Sequence, residues 1–221
     1  MTTIESRPPV APGELAPDFT LAAVDRPETV SLADYRGKRS VFLALFIGLW
    51  CPFCRRSIAE LGKVDGKLKA LGVEPLGIVA TAAENARLYF KYRPMRMTLA
   101  ADPHLTTHTS YGLPRPTPTP EMMAAVGSLL VNPTGELPEP LPLPAAGAAL
   151  NALDGFQPTD VDRRENETTF TQMKGQFLID RDGIVRWSHV ECEKEGLPGI
   201  GKLLSRDEVL SAATTIVGNR V

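Results

Sequence analysis

Cysteine and histidine are scarce, with three of each in 221 residues. Three cysteines cannot build a structural disulfide framework. A dominant charge sign is lacking too. Twenty-four Lys and Arg against 26 Asp and Glu leave a net charge of −2, which gives no electrostatic reason to expect nucleic acid or a membrane as partner. No apolar run approaches the roughly 18–20 residues that span a bilayer. Met1 to Pro17 carries Thr, Glu, Arg and prolines, not a basic stretch followed by an apolar one. No export signal is read there, and cytoplasmic residence is the expectation. No internal repeat is visible.

What is present is one concentrated stretch, Trp50-Cys51-Pro52-Phe53-Cys54-Arg55-Arg56. Before it, Val41 to Ile47 is a continuous apolar run, the composition of a strand buried on both faces. After it, Ile58, Leu61, Val64, Leu68 and Leu71 recur at the spacing of an amphipathic helix, with Gly72 as its stop. Two cysteines therefore lie where a buried strand turns into a helix. The first thiol would sit at the helix N-terminus, where free N–H groups and the macrodipole favour a thiolate. The second would lie one turn on, within reach of a disulfide.

The rest of the chain is ordered around this junction. Residues 1–16 read as a flexible arm because of their prolines, and residues 17–221 as a single domain. Strands are expected at 18–24 and 29–32, with a single helical turn to Tyr35. The buried strand covers 40–47. A second buried strand runs from Val73 to Ala80, a helix from Ala82 to Tyr92, and a short edge strand from Met97 to Ala101. A short helix follows from Leu105 to Tyr111, with Asp102 as its cap. Ten of the chain's 20 prolines then fall between Pro114 and Pro158, which marks residues 113–170 as an insertion of lid or docking type, or an inert surface excursion. Gly175 to Asp180 and Ile184 to Val190 form a β-hairpin around Arg181-Asp182-Gly183. Ser205 and Glu208 make a capping box for a last helix.

This order of strand, CxxC helix, strand, helix, insertion, hairpin and helix resembles the thioredoxin fold. It looks most like the redoxin branch that contains the alkyl hydroperoxide reductase/thiol-specific antioxidant (AhpC/TSA) proteins and the thioredoxin-like disulfide reductases. Ala16 to Leu21 with Leu32 to Gly37, the Trp50–Arg55 motif, and Phe177 to Val185 carry the match. The resemblance implies an α/β fold: a central mixed sheet flanked by helices, an N-terminal β-hairpin extension and the Pro-rich insertion before the last hairpin. It also implies a thiol–disulfide oxidoreductase. Cys51 would be the nucleophile and Cys54 the resolving thiol. Trp50 would shield the site, Pro52 would fix the turn, Phe53 would line the substrate groove and Arg55 would add positive charge. No cofactor is implied beyond the Cys51–Cys54 disulfide. The partners implied are a protein or small-molecule disulfide or a peroxide, together with a thiol electron donor; homodimerisation stays open.

The sequence also departs from its relatives. Peroxiredoxins place Pro and Thr seven and three residues before the peroxidatic cysteine, and here those positions are Ala44 and Gly48. Thioredoxins carry a buried acid on the strand before the motif, and Val41 to Leu49 contains none. Met173-Lys174-Gly175 stands where a cis-proline would face the cysteines. Lys174 is either an electrostatic replacement beside the thiolate or an exposed lysine. Cys192 is a third redox or metal residue, or an unrelated thiol. His104 and His108 read as a solvated polar face. Two alternatives to the oxidoreductase follow. One is a thiol peroxidase with Cys51 peroxidatic and Cys54 resolving. The other is a site for copper(I) or zinc through Cys51, Cys54 and Cys192.

Overall fold

The computed structural model describes residues 7–202 and 204–218, the side chains of 217 and 218 excepted. Its seven-stranded sheet has the order β2-β1-β5-β4-β3-β8-β9. These strands are β1 (Thr20–Ala23), β2 (Thr29–Ser31), β3 (Ser40–Phe46), β4 (Val73–Val79), β5 (Thr98–Ala101), β8 (Gly175–Ile179) and β9 (Val185–Val190). β3 pairs parallel to β4 and antiparallel to β8, so the sheet is mixed. All seven residues of β3 are buried because side chains alternate into two separate cores. Phe42, Ala44 and Phe46 face one core with Ile58, Leu61, Val64 and Leu68 of α1 (Pro52–Ala70). Leu43 and Leu45 face the other with Leu76, Ile78, Tyr111 and Phe177. Each large apolar side chain buried in this way contributes about 1.5–3 kcal/mol. The expected thioredoxin-like architecture is present.

Three local expectations need correction. Residues 7–16 are not a loose arm; residues 1–6 lie outside the described part. Val10 N–H donates to the Tyr111 carbonyl, Gly13 and Ala16 donate to Val185 and Gly183, and Val10 is buried. Apolar contact and backbone bonds to the β8–β9 hairpin outweigh the prolines. β5 is an interior strand, because the β1–β2 hairpin pairs beyond it. The short helix α3 (Thr106–Ser110) is not preceded directly by its cap. Leu105 takes a left-handed conformation there, and the Asp102 carboxylate reaches across to the N–H groups of Thr106 and Thr107.

Residues 113–170 fold into α4 (Pro120–Ser128), a small hairpin of β6 (Leu130–Val131) and β7 (Leu141–Pro142), α5 (Leu143–Leu153) and α6 (Asp160–Thr169). Prolines serve as first-turn residues of α4 and α5, where a missing N–H costs no hydrogen bond. Ala146 and Leu150 of α5 join the core cluster that holds the two cysteines, so the insertion lies over the α1 side of the sheet. The remaining helices are α2 (Ala83–Phe90) and α7 (Arg206–Gly218). Ser205 and Glu208 form the expected box in front of α7. Among the described residues no helix is long and apolar enough to cross a membrane.

Candidate redox site

Cys51 is the N-cap of α1 and Pro52 stands in its first turn. Pro52 has the fixed φ that a first helical residue needs. The Cys51 sulfur accepts the Cys54 backbone N–H at 3.4 Å. Both thiols are reduced and buried, Cys51 at 4% exposure and Cys54 at 0%. Burial works to raise the Cys51 pKa. The Cys54 thiol donating to it, the Lys174 ammonium and the Cys54 N–H together outweigh burial and lower it to about 7, with Glu191 acting against them. Burial, and then the shared proton and charge of Cys51, push Cys54 well above an ordinary thiol. The two thiols thus differ in how readily each gives up its proton.

Lys174 is buried rather than exposed, at 4%. Alternation along β8 explains its direction. Leu178 belongs to the α1-side core and Phe177 to the other, so Gln176 and, just before the strand, Lys174 face α1. On β9, Val190 faces away from α1 and Trp187 towards it, which brings Glu191 to the α1 side as well. The Lys174 ammonium meets Glu191 Oε1 at 3.0 Å. The same oxygen accepts Gly201 N–H at 2.9 Å, and Oε2 accepts the Lys174 N–H at 3.2 Å. Gly201 lies against the Phe53 ring, so the motif packs directly on the loop that holds Glu191. Burial alone would depress the Lys174 pKa, but Glu191 and then the two thiols hold it above the usual ammonium value.

Arg55 takes a different place from the one expected. Its guanidinium turns away from the thiols into the insertion. There it meets Asp154 at 2.8 Å and Asn151 at 2.6 Å, and stacks 4.0 Å from the Phe156 ring centroid. It also donates to the Leu49 and Trp50 carbonyls, which fixes the strand-to-helix turn. Arg56 bridges Glu136 and Asp154 at 3.0 Å each. Trp50 Nε1 donates to Thr169 at 2.9 Å. Leu49 N–H donates to the Thr81 hydroxyl, which donates to Glu165. Three parts of the insertion are thereby tied to the motif. Gly48 has a positive φ of 138°, and a Cβ there would stand 2.8 Å from the Trp50 indole. That contact leaves no room at this position for the threonine of a peroxiredoxin.

The insertion clamp gives a first expectation. Asp154→Ala leaves two buried guanidinium groups short of a partner, at a cost of about 2–3 kcal/mol given the partial exposure of Asp154. Hydrogen exchange across α5 should quicken, and a bulky maleimide should label Cys51 faster. Unchanged labelling would show that the clamp does not control access.

Cys192 sits just past β9 with a left-handed φ of 65°, half-buried, its thiol pushed up to about 11 by burial and then by Glu191. Among the described residues no group of three His, Cys, Asp or Glu side chains is placed to hold a metal ion, so the three-cysteine site is not assembled. His108 is also not solvated; it is fully buried. Tyr92, the last residue of the expected helix, is 82% exposed, whereas Tyr89 and Phe90 pack against the α1-side core. Glu191, Asp154, Asn151 and Glu136 were not singled out from the sequence. Glu191 had a readable signal, since the alternation that places Trp187 and His189 on one face extends to it. Asp154, Asn151 and Glu136 had none.

Residues 12–139 match the AhpC/TSA family. The thiol-disulfide oxidoreductase ResA of Halalkalibacterium halodurans is 31% identical over 128 residues, 58% of this chain and 70% of that protein. A Mycobacterium tuberculosis protein named as a peroxiredoxin is 29% identical over 103 residues, 47% of this chain and 64% of its own length. The reduced 2-Cys peroxiredoxin of Plasmodium vivax shares the fold with a TM-score of 0.60 at 19% identity, over 95% of this chain and 83% of that one. The peroxidoxin BcpB of Mycobacterium tuberculosis does so with a TM-score of 0.58 at 13% identity, over 96% and 99%. The family match begins in the N-terminal segment laid against the sheet, runs through Cys51 and Cys54 and ends inside the insertion, and on that ground the chain belongs to the AhpC/TSA family.

Proposed function

We propose that this chain is a thiol–disulfide oxidoreductase that cycles Cys51 and Cys54 between dithiol and disulfide. The observation that carries the reading is the placement of the pair: Cys51 caps α1 and accepts the Cys54 N–H at 3.4 Å, an arrangement that lowers the Cys51 pKa to about 7 while burial pushes Cys54 well up. The Cys51 thiolate attacks one sulfur of a substrate disulfide, forms a mixed disulfide and expels the other half as a thiolate, which takes a proton from solvent. Cys54 then attacks the Cys51 sulfur. Its proton goes to the departing second thiolate, and Cys51–Cys54 is left oxidised. A thiol electron donor reduces it again. Pro52 and Arg55 hold the turn, Trp50 and Phe53 wall the thiols in, and Lys174 stabilises the attacking anion. The 4% exposure of Cys51 beneath α5 favours small disulfides over a protein disulfide.

The same burial favours a second reading, a thiol peroxidase. A small peroxide reaches a thiol that a protein cannot. Attack of the Cys51 thiolate on the peroxide would give a sulfenic acid and, after protonation of the leaving oxygen, water from hydrogen peroxide or an alcohol from an organic hydroperoxide; Cys54 would then condense with the sulfenic acid, releasing water. In the disulfide reading, Cys51→Ser abolishes reduction of a small aromatic disulfide and Cys54→Ser accumulates the mixed disulfide, both visible by intact mass. Full reductase activity in Cys51→Ser would sink it. The peroxide reading requires Cys51 to consume hydrogen peroxide stoichiometrically, and faster than a free thiol of the same pKa.

A further inference from the structure

A cleft of about 310 Å3 lies between α1 and the segment that joins α2 to β5. It sits apart from the thiols, behind Arg55. Among the described residues its lining contains four cations, Arg55, Lys63, Arg93 and Arg96, and no carboxylate. Arg55 is satisfied by Asp154, and Lys63 by Glu60. Arg93 and Arg96 have no ion-pair partner among the described residues. Arg93 is nevertheless held in place: its guanidinium lies 4.3 Å from the Tyr89 ring centroid and donates to the Tyr89 carbonyl at 3.0 Å. Arg96 is brought close to α1 by Gly62, where a Cβ would stand 3.2 Å from its own. Between these cations the wall is apolar, made by Ile58, Phe90 and Met95.

We propose that this cleft binds a small monocarboxylate with an apolar body, either a single aryl ring or a short aliphatic chain. The carboxylate lies on Arg93 and Arg96, and the body on Ile58, Phe90 and Met95. Charge complementarity selects the anion, since two exposed arginines line a cleft to which the described residues contribute no acid. Arginine forks match a carboxylate in a bidentate way that an ammonium cannot. The volume, at the lower end of the range for ligand sites, limits the guest to one ring or a few carbons. The apolar wall selects a ligand with a body over a bare anion. The site contains neither thiol, so its occupancy is independent of the redox reading.

The test is a titration of the isotope-labelled reduced protein with benzoate, followed by amide chemical shifts. Benzyl alcohol and inorganic phosphate serve as comparison ligands. Benzoate should give saturable shifts at Ile58, Gly62, Met95 and Arg96, with binding weakened by salt. Benzyl alcohol and phosphate should each bind at least about tenfold more weakly, and Arg93→Gln combined with Arg96→Gln should cost benzoate a similar factor while thermal unfolding stays unchanged. Equal binding of benzyl alcohol would make this an apolar slot, and equal binding of phosphate a bare anion site. Either result, or the absence of saturable shifts at these residues, overturns the proposal.

Discussion

Lys174→Met will raise the pKa of the Cys51 thiol above about 7, and Glu191→Gln will lower it. The opposite signs follow from one geometry. The Lys174 ammonium favours the Cys51 thiolate, whereas the Glu191 carboxylate, 3.0 Å from that ammonium, disfavours it. Removing the cation leaves burial opposed only by the two Cys54 hydrogen bonds, so the thiolate fraction near neutral pH falls. Alkylation of Cys51 by iodoacetamide should then slow by at least about tenfold at pH 6–7. In Glu191→Gln the ammonium has the thiolate as its remaining counter-ion, and the alkylation profile should move to lower pH. Lys174→Met also leaves a buried carboxylate unpaired, a cost of about 3–5 kcal/mol that threatens the fold. The double variant Lys174→Met/Glu191→Gln removes both charges and keeps the measurement possible, with Cys51 again above its wild-type pKa. Shifts of the same sign in the two single variants would refute the opposed-charge account.

The second large effect is on acid stability. His108 is fully buried on α3, and among the described residues neither ring nitrogen has a well-formed hydrogen bond, the Phe46 carbonyl being the nearest weak acceptor. Burial lowers its pKa from 6.5 to about 4, and the nearby Asp102 carboxylate and Phe46 carbonyl offset only part of that. The unfolded chain binds a proton near pH 6.5 and the folded chain does not until about pH 4. Above pH 6.5 the residue is neutral in both states and contributes no slope. Between 6.5 and 4 the unfolded state gains protons first, so stability falls as pH falls, by about 3 kcal/mol in all. His108→Leu removes that loss. At pH 7.5 the replacement should be close to neutral, because an unpartnered buried polar group is exchanged for an apolar one. Urea unfolding at several pH values from 7.5 to 4 compares the two proteins. Parallel stability–pH curves would show that His108 is not the acid-sensitive group.

The CxxC pair was legible because the signal is local: a two-faced apolar strand, a capping cysteine, a proline at the first helical position and a period of three to four afterwards. The β8–β9 hairpin was legible from its Asp-Gly turn. His108 reads as solvated from the sequence but is buried, because a polar residue four positions from another in a short segment gives no indication of which side packs. Only Thr107 and His108 of α3 are buried, and the chain directly after them enters the second core at Tyr111 and Leu113, where Val10 is bonded to Tyr111. Residues 7–16 were misread for a related reason, since local proline content says nothing about strand edges supplied from residues 183–185.

The sequence by itself determined the junction of strand and helix and the two thiols on it, because these depend on residues within a few positions of one another, and the order of elements along the chain pointed to the fold that carries them. Only the tertiary structure decided which charges act on those thiols. Arg55, next to Cys54 in sequence, points into the insertion, whereas Lys174 and Glu191, more than 100 residues away, face the pair from neighbouring strands. Electrostatic effect depends on distance and burial in space, and both are set by strand order and by the helices of the insertion packed over α1, neither of which is written in the neighbourhood of the motif.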